Sequence, residues 1–174
     1  MSTVILVDHD DIPVGYCEKL QAHQKGLCHR AFSVFILRRK AGKQEILLQQ
    51  RQLDKYHSPG LWTNTCCSHP LPDEATEAAA KRRLKEEMGL KVPLEYIGKF
   101  HYIAEFENGL IENEVDHVFI GKYTRQEIKV DPSEVAATRW VEIEQLENEI
   151  ETHPELFTAW LQPALRMLKA HFTT

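Results

Sequence analysis

The sequence predicts an α/β fold, a sandwich of helices around a mixed sheet, on three observations. Short β-prone runs recur through the first two thirds of the chain, one well-marked helix interrupts them, and the last third turns helical in pattern. Val4–Val7 reads as a short strand closed by a turn at Asp8–Gly15. Ala31–Leu37 (AFSVFIL) is apolar and rich in β-branched and aromatic residues, as a strand buried on both faces must be. Ala41–Lys43 turns the chain, which makes Glu45–Gln50 its hairpin partner. Leu61–Ser68 reads as a further strand after the Pro59–Gly60 break.

Glu74–Met88 is the clearest helix. Asp73 stands where an N-cap is expected, and Glu74 and Glu77 suit the positive end of the helix dipole. Ala80, Leu84 and Met88 form an i, i+4, i+8 apolar line, and Gly89 ends the segment as a C′ glycine. Strands are expected around Tyr96–Phe106, Val115–Tyr123 and Ala137–Val141, with Pro154 and Pro163 punctuating the C-terminal helices.

Composition bounds the function. The chain has 174 residues, 43% of them hydrophobic and 27% charged, which suits one globular domain over residues 1–174. A net charge of −5 disfavours a nucleic-acid partner and requires any anionic ligand to meet a local basic patch. Met1–Gly15 lacks the pattern of a secretory signal, and no run approaches the ~18 apolar residues of a membrane helix. Four cysteines in a chain of this length do not look like a disulfide framework, so free thiols in a reducing cytoplasm are expected. No heptad or apolar edge stands out, so a monomer is expected.

Between Ser68 and Leu90 the chain resembles the Nudix box, G-x5-E-x7-R-E-U-x-E-E-x-G-U, in which U is a bulky apolar residue. Glu74, Arg82, Leu84, Glu86, Glu87, Gly89 and Leu90 fall in register. Ser68 replaces the first glycine, and Arg83 replaces the glutamate after Arg82. A Nudix hydrolase uses clustered glutamates to hold Mg²⁺ and activate water. Exchanging one of them for Arg83 removes a ligand and adds a cation, which favours holding an intact diphosphate over cleaving it. Taken alone, Arg82–Glu86 and Arg83–Glu87 are also the i, i+4 pairs of an ordinary solvated helix face.

Trp62–Thr63–Asn64–Thr65–Cys66–Cys67–Ser68–His69–Pro70 resembles the catalytic segment of the type I isopentenyl-diphosphate isomerases. Leu27–Ser33 (LCHRAFS) and Glu112–Val115 with Tyr102 upstream match the same family, so that the resemblance extends from His23 to Trp160. Spacing makes independent sense of parts of it. Residues i and i+2 of a strand share a face, which puts Cys67 with His69, Cys66 with Ser68, and Glu112 with Glu114 and, if the strand continues, Asp116. The resemblance implies a divalent metal, Mn²⁺ or Zn²⁺, on His23, His29, His69, Glu112 and Glu114. It implies Mg²⁺ bridging the substrate to Glu87, with the Cys67 carbonyl also coordinating. It implies proton transfer by Cys67 and by Glu114 with Tyr102, and a cation-covering Trp160. Arg51, Lys55, Arg83 and Lys19 match the diphosphate positions, and Ser33 is an extra contact.

Bland readings stand beside these. His9, His57, His101, His117, His153 and His171 are given no role, Cys17, Cys28 and Cys66 read as inert, and Trp160 near Phe157 and Leu161 could be helix packing. The expected activity is interconversion of isopentenyl and dimethylallyl diphosphate by protonation and deprotonation. The alternatives are a Nudix-type diphosphohydrolase using Glu86 and Glu87, and a non-catalytic diphosphate- or metal-binding module.

Overall fold

A computed structural model describes residues 2–173. Strands β1 (Thr3–Val7) and β2 (Pro13–Glu18) form a hairpin, followed by helix α1 (Lys19–Lys25). Then come β3 (His29–Lys40), β4 (Lys43–Arg51), β5 (Trp62–Thr63), β6 (Cys66–Ser68) and α2 (Thr76–Met88). The chain ends with β7 (Glu95–Glu105), β8 (Ile111–Lys122), β9 (Val135–Glu142), α3 (Ile143–Thr152), a short 3₁₀ turn (Pro154–Leu156) and α4 (Leu161–Thr173).

β3 is the axis of a mixed sheet. β8 runs parallel to it from His29↔Glu114 to Leu37↔Lys122, and β7 closes against β8 antiparallel. On its other side β3 pairs with β6 through Phe32–Val34 and with β4 only through Leu37–Lys40. The pleat of β3 explains the two cores. Phe32, Val34 and Ile36 pack with Ala79, Ala80, Leu84 and Met88 of α2, whereas Phe35 and Leu37 pack with Leu146 and Ile150 of α3 and Leu161, Leu165 and Leu168 of α4. Helices therefore cover both faces, the sandwich that the alternation of strand and helix predicted. Among the described residues no helix is long and apolar enough to cross a membrane.

Several expectations need correction. The first turn is confined to Asp8–Ile12, because the Asp8 carboxylate accepts from the Asp10 and Ile12 amides and closes it early; Pro13–Glu18 is strand. Asp73 does not cap α2. It sits at φ 65 in a turn closed by Glu74 N–H to Leu71 O, which delays the helix to Thr76 with Ala75 as its cap. Leu61–Ser68 is two short strands rather than one. α1 escaped the reading because seven residues give too little period; its signal is Glu18, whose carboxylate caps the Leu20 and Gln21 amides.

Gly89 behaves as expected at the end of α2, at φ +70. A Cβ there would lie 2.8 Å from Lys129 Cβ and 2.9 Å from the Lys129 carbonyl oxygen. Left-handed strain and the clash with backbone together should make Gly89→Ala destabilising by roughly 2–4 kcal/mol. Urea unfolding will show a lower midpoint at unchanged slope; a midpoint equal to that of the native chain would contradict this packing.

Candidate active site

A polar cavity of about 280 Å³ opens at the end of the sheet where β8 begins and β6 ends. Cys67 and Glu114 reach it from strands on opposite sides of β3. Around it the structure gathers most of the residues singled out in the sequence, and they fall into three groups.

The first group is the histidine–carboxylate cluster. One ligand atom from each of His23, His29, His69 and Glu114 lies within 4.8 Å of all the others. His23, fully buried on α1, sets its Nε2 3.1 Å from Glu112 Oε1 and its Nδ1 3.0 Å from the Tyr56 hydroxyl. His29 Nδ1 is 2.9 Å from the Leu27 carbonyl, which fixes the ring with Nε2 facing Glu114 Oε2 at 2.9 Å. His69 Nε2 approaches the same oxygen at 2.6 Å. Tyr102 donates to Glu112 and, through a very short hydrogen bond, to Glu114. This donor set, imidazoles and carboxylate converging in a buried space, can hold a divalent metal ion.

The electrostatics are those of a crowded anionic site. Burial opposes ionisation of Glu114, but His69 and His29 outweigh it and hold the carboxyl well below its ordinary value. Burial beside Glu114 pushes Glu112 up, against the pull of His23 and Tyr102. Asp116, on the same face two residues further along β8, is pushed well above its usual range by burial and by Glu114.

Cys67 forms the second group. Burial pushes its thiol up to about 12, with Arg51 pulling the other way, so at neutral pH it is a protonated S–H. Cys66 is fully buried in the core beneath α2, as the alternation along the strand requires. Trp160 lies just before α4, 3% exposed, lines the cavity, and aims its Nε1 at Asn64 Oδ1 3.3 Å away.

The third group is cationic. Lys19, Arg51, Lys55 and Arg83 all line the cavity. Burial, with the neighbouring charges of Lys55 and Arg51, lowers the pKa of Lys19. Lys55 forms a very short ion pair with Glu134. Arg83 donates to Glu87 from Nη2 at 2.8 Å and from Nε at 3.1 Å. Glu87 is 3% exposed and also accepts from Gln49 Nε2 at 3.0 Å. Its neighbour Glu86 turns to solvent, paired with Arg82 and Arg83.

Ser33 stands behind the wall. It is fully buried and its hydroxyl donates to Asp116 Oδ2 at 2.7 Å. Gln49, Glu134 and His57 were not found in the sequence, yet all three line the cavity. His57 is 4% exposed, 3.3 Å from Glu112 and 3.2 Å from Arg51, and burial with the nearby cations lowers its pKa. No spacing rule identifies them, because a loop and a distant strand bring them in.

The NUDIX domain matches residues 28–161. The chain is 49% identical over 157 residues to the isopentenyl-diphosphate Delta-isomerase of Burkholderia multivorans, covering 90% of this chain and 87% of that relative. It is 46% identical over 165 residues to isopentenyl-diphosphate Delta-isomerase 2 of Photorhabdus laumondii, covering 95% and 91%. The fold is similar to a solved Deinococcus radiodurans structure at TM-score 0.75 and 17% identity, covering 95% of this chain and 98% of that one.

If the cluster is a metal centre, His69→Ala should weaken divalent-metal binding by more than about 100-fold, beyond the usual cost of losing an outer partner. Metal analysis against a competing chelator will show this; full occupancy in the variant would remove His69 from the ligand set.

Proposed function

The chain belongs to the NUDIX family and, within it, to the isopentenyl-diphosphate Delta-isomerases, and from that premise we propose that it interconverts isopentenyl and dimethylallyl diphosphate by adding a proton at one carbon and removing another two bonds away. The observation that carries this reading is the cavity itself. A thiol on β6 and a carboxylate on β8 approach it from either side of β3, beside a wall of cations.

The chemistry balances without a co-reactant. The terminal methylene of the alkene gains a proton, the branched carbon becomes cationic, and the methylene next to it on the diphosphate side loses a proton. Cys67 Sγ holds one of these protons and a Glu114 carboxyl oxygen handles the other, with the Tyr102 hydroxyl bonded to that carboxylate. Reversal exchanges their parts, so each serves as acid in one direction and base in the other. Trp160 offers its π-face to the cationic carbon.

Arg51, Lys55, Arg83 and Lys19 are the groups to hold the diphosphate, the arginines bidentately. The resident metal at His23, His29, His69, Glu112 and Glu114 would be Mn²⁺ or Zn²⁺. Mg²⁺ would be held by Glu87 and the Cys67 carbonyl, and the two ions would supply neutralising positive charge to the carboxylates and to the diphosphate. One chain, acting as a single domain over residues 1–174, supplies every one of these groups, so a monomer suffices, and its free thiols suit the cytoplasm. The hydrolase reading calls on Glu86 as well as Glu87, and Glu86 is turned away from the cavity.

Proton NMR of the protein with isopentenyl diphosphate and Mg²⁺ in D₂O, run beside a phosphate-release assay, tests the proposal. Deuterated dimethylallyl diphosphate without free phosphate is the expected result, and phosphate release would transfer the chain to the hydrolase reading. Cys67→Ala should lower turnover by at least about 10²-fold, the scale of one positioned acid–base group, while Cys66→Ala should keep it. Near-normal turnover of Cys67→Ala would refute the role of that thiol.

A further inference from the structure

Arg51 differs from the other cavity arginine in how it is held. Arg83 is met by the carboxylate of Glu87. Arg51, 7% exposed at the end of β4, forms no ion pair among the described residues. Its Nη2 instead meets two uncharged acceptors of one residue, His57 Nε2 at 3.2 Å and the His57 carbonyl at 3.4 Å. Its Nε is buried and has no partner.

The turn from β4 to β5 brings this about. The Arg51 amide donates to Leu61 O at 2.8 Å, so the chain between them doubles back, with Ser58 at φ 50 and Gly60 at φ 71. His57 is thereby laid against the guanidinium of Arg51, six residues earlier.

Guanidinium only donates, so His57 Nε2 must accept and the ring proton must sit on Nδ1. Nε2 then has no proton to give to Glu112 Oε1, 3.3 Å away, and the functional tie of the ring is to Arg51. His57 Nδ1 is itself buried without a partner. An apolar ring would fill the same slot without an unpaired donor. What the imidazole adds is a neutral acceptor, which orients a guanidinium without cancelling its charge. A carboxylate in its place would orient Arg51 equally well and neutralise it.

We propose that His57 is a positioning residue that fixes the Arg51 guanidinium, with its charge uncompensated, as the receptor for a phosphate group in the cavity. This rests on the isomerase reading only for the identity of the natural anion. Binding of inorganic pyrophosphate needs no turnover, so the inference can be tested even if isomerisation is not observed.

The experiment is calorimetric titration of the Mg²⁺-loaded protein with inorganic pyrophosphate, as a double-mutant cycle. His57→Phe, or His57→Leu if the larger ring does not fold, should weaken binding about tenfold. His57→Gln, whose side-chain oxygen can stand where Nε2 does, should recover most of that loss. In an Arg51→Met background His57→Phe should cost less than about twofold. Native affinity in His57→Phe, failure of His57→Gln to recover, or an undiminished loss in the Arg51→Met background would each overturn the proposal. So would loss of bound metal from His57→Phe with pyrophosphate affinity intact, which would assign the ring to the metal centre.

Discussion

The site depends on where β3 and β4 part company. They pair only from Leu37↔Ile46 to Lys40↔Lys43, and beyond that the space between them would expose backbone groups to an apolar core. Asn64 and Thr65 fill it. Thr65 accepts from the Ile36 amide at 2.8 Å and donates to the Leu47 carbonyl at 2.6 Å, bridging β3 to β4 through a side chain. Asn64 donates to the carbonyls of Val34 and Cys66 at 3.1 and 2.8 Å, and its oxygen accepts from Thr63 and Trp160. Every hydrogen-bonding site on this fully buried amide that matters for the wedge is used, which is what makes it affordable in a core. Thr63 and Thr158 tie the same wedge to the segment before α4. The short strand β6 hangs from this wedge, and with it the positions of Cys67 and His69.

Given that frame, the dominant energy in the cavity is electrostatic. Glu87, Glu112, Glu114 and Asp116 are all buried, and burial of like charges costs several kcal/mol per uncompensated ion. The chain relieves this unevenly. Glu114 takes two histidines and falls below its usual pKa, while Glu112, Glu87 and Asp116 remain raised. At the other end cations gather, and burial, with Lys55 and Arg51, lowers the pKa of Lys19. One end of the cavity thus gathers carboxylates and the other gathers cations. Metal ions at the first and a diphosphate at the second would offset the charge at both.

Much of this was legible in the sequence where the relevant period is short. The Ala80–Leu84–Met88 line gave α2 its buried face, and the i, i+2 rule put Glu112, Glu114 and Asp116 on the cavity side of β8. It also sent Cys66 to the core and left Cys67 at the cavity. Illegible were contacts made by long-range closure. Gln49 reaches Glu87 across 38 positions, and Glu134 reaches Lys55 across 79. Asp73 looked like a cap because side-chain chemistry is visible in a sequence and the αL turn that misdirects it is not. His57 looked idle because its loop, and not its neighbours, determines what it faces.

The departure from a hydrolase's box shows in how two adjacent glutamates of one helix are partnered. Successive α-helical residues lie about 100° apart, so Glu86 and Glu87 leave α2 in different directions, and their partners decide which of them reaches the cavity. Here Glu87 faces inward, and Glu86 is held outward between Arg82 and Arg83. Arg82 is in turn fixed by both oxygens of Glu74, which also accepts from the Leu71 amide and so secures the entry to the helix. The charges of the box therefore divide into a pair that secures the helix entry, Glu74 with Arg82, and a pair at the cavity, Glu87 with Arg83. Where a hydrolase would place a further carboxylate, Arg83 puts a cation beside Glu87. One inward carboxylate with an adjoining guanidinium suits the diphosphate grip proposed above, and Cys67 and Glu114, to which the proton chemistry is assigned in that proposal, line the same cavity from the strands.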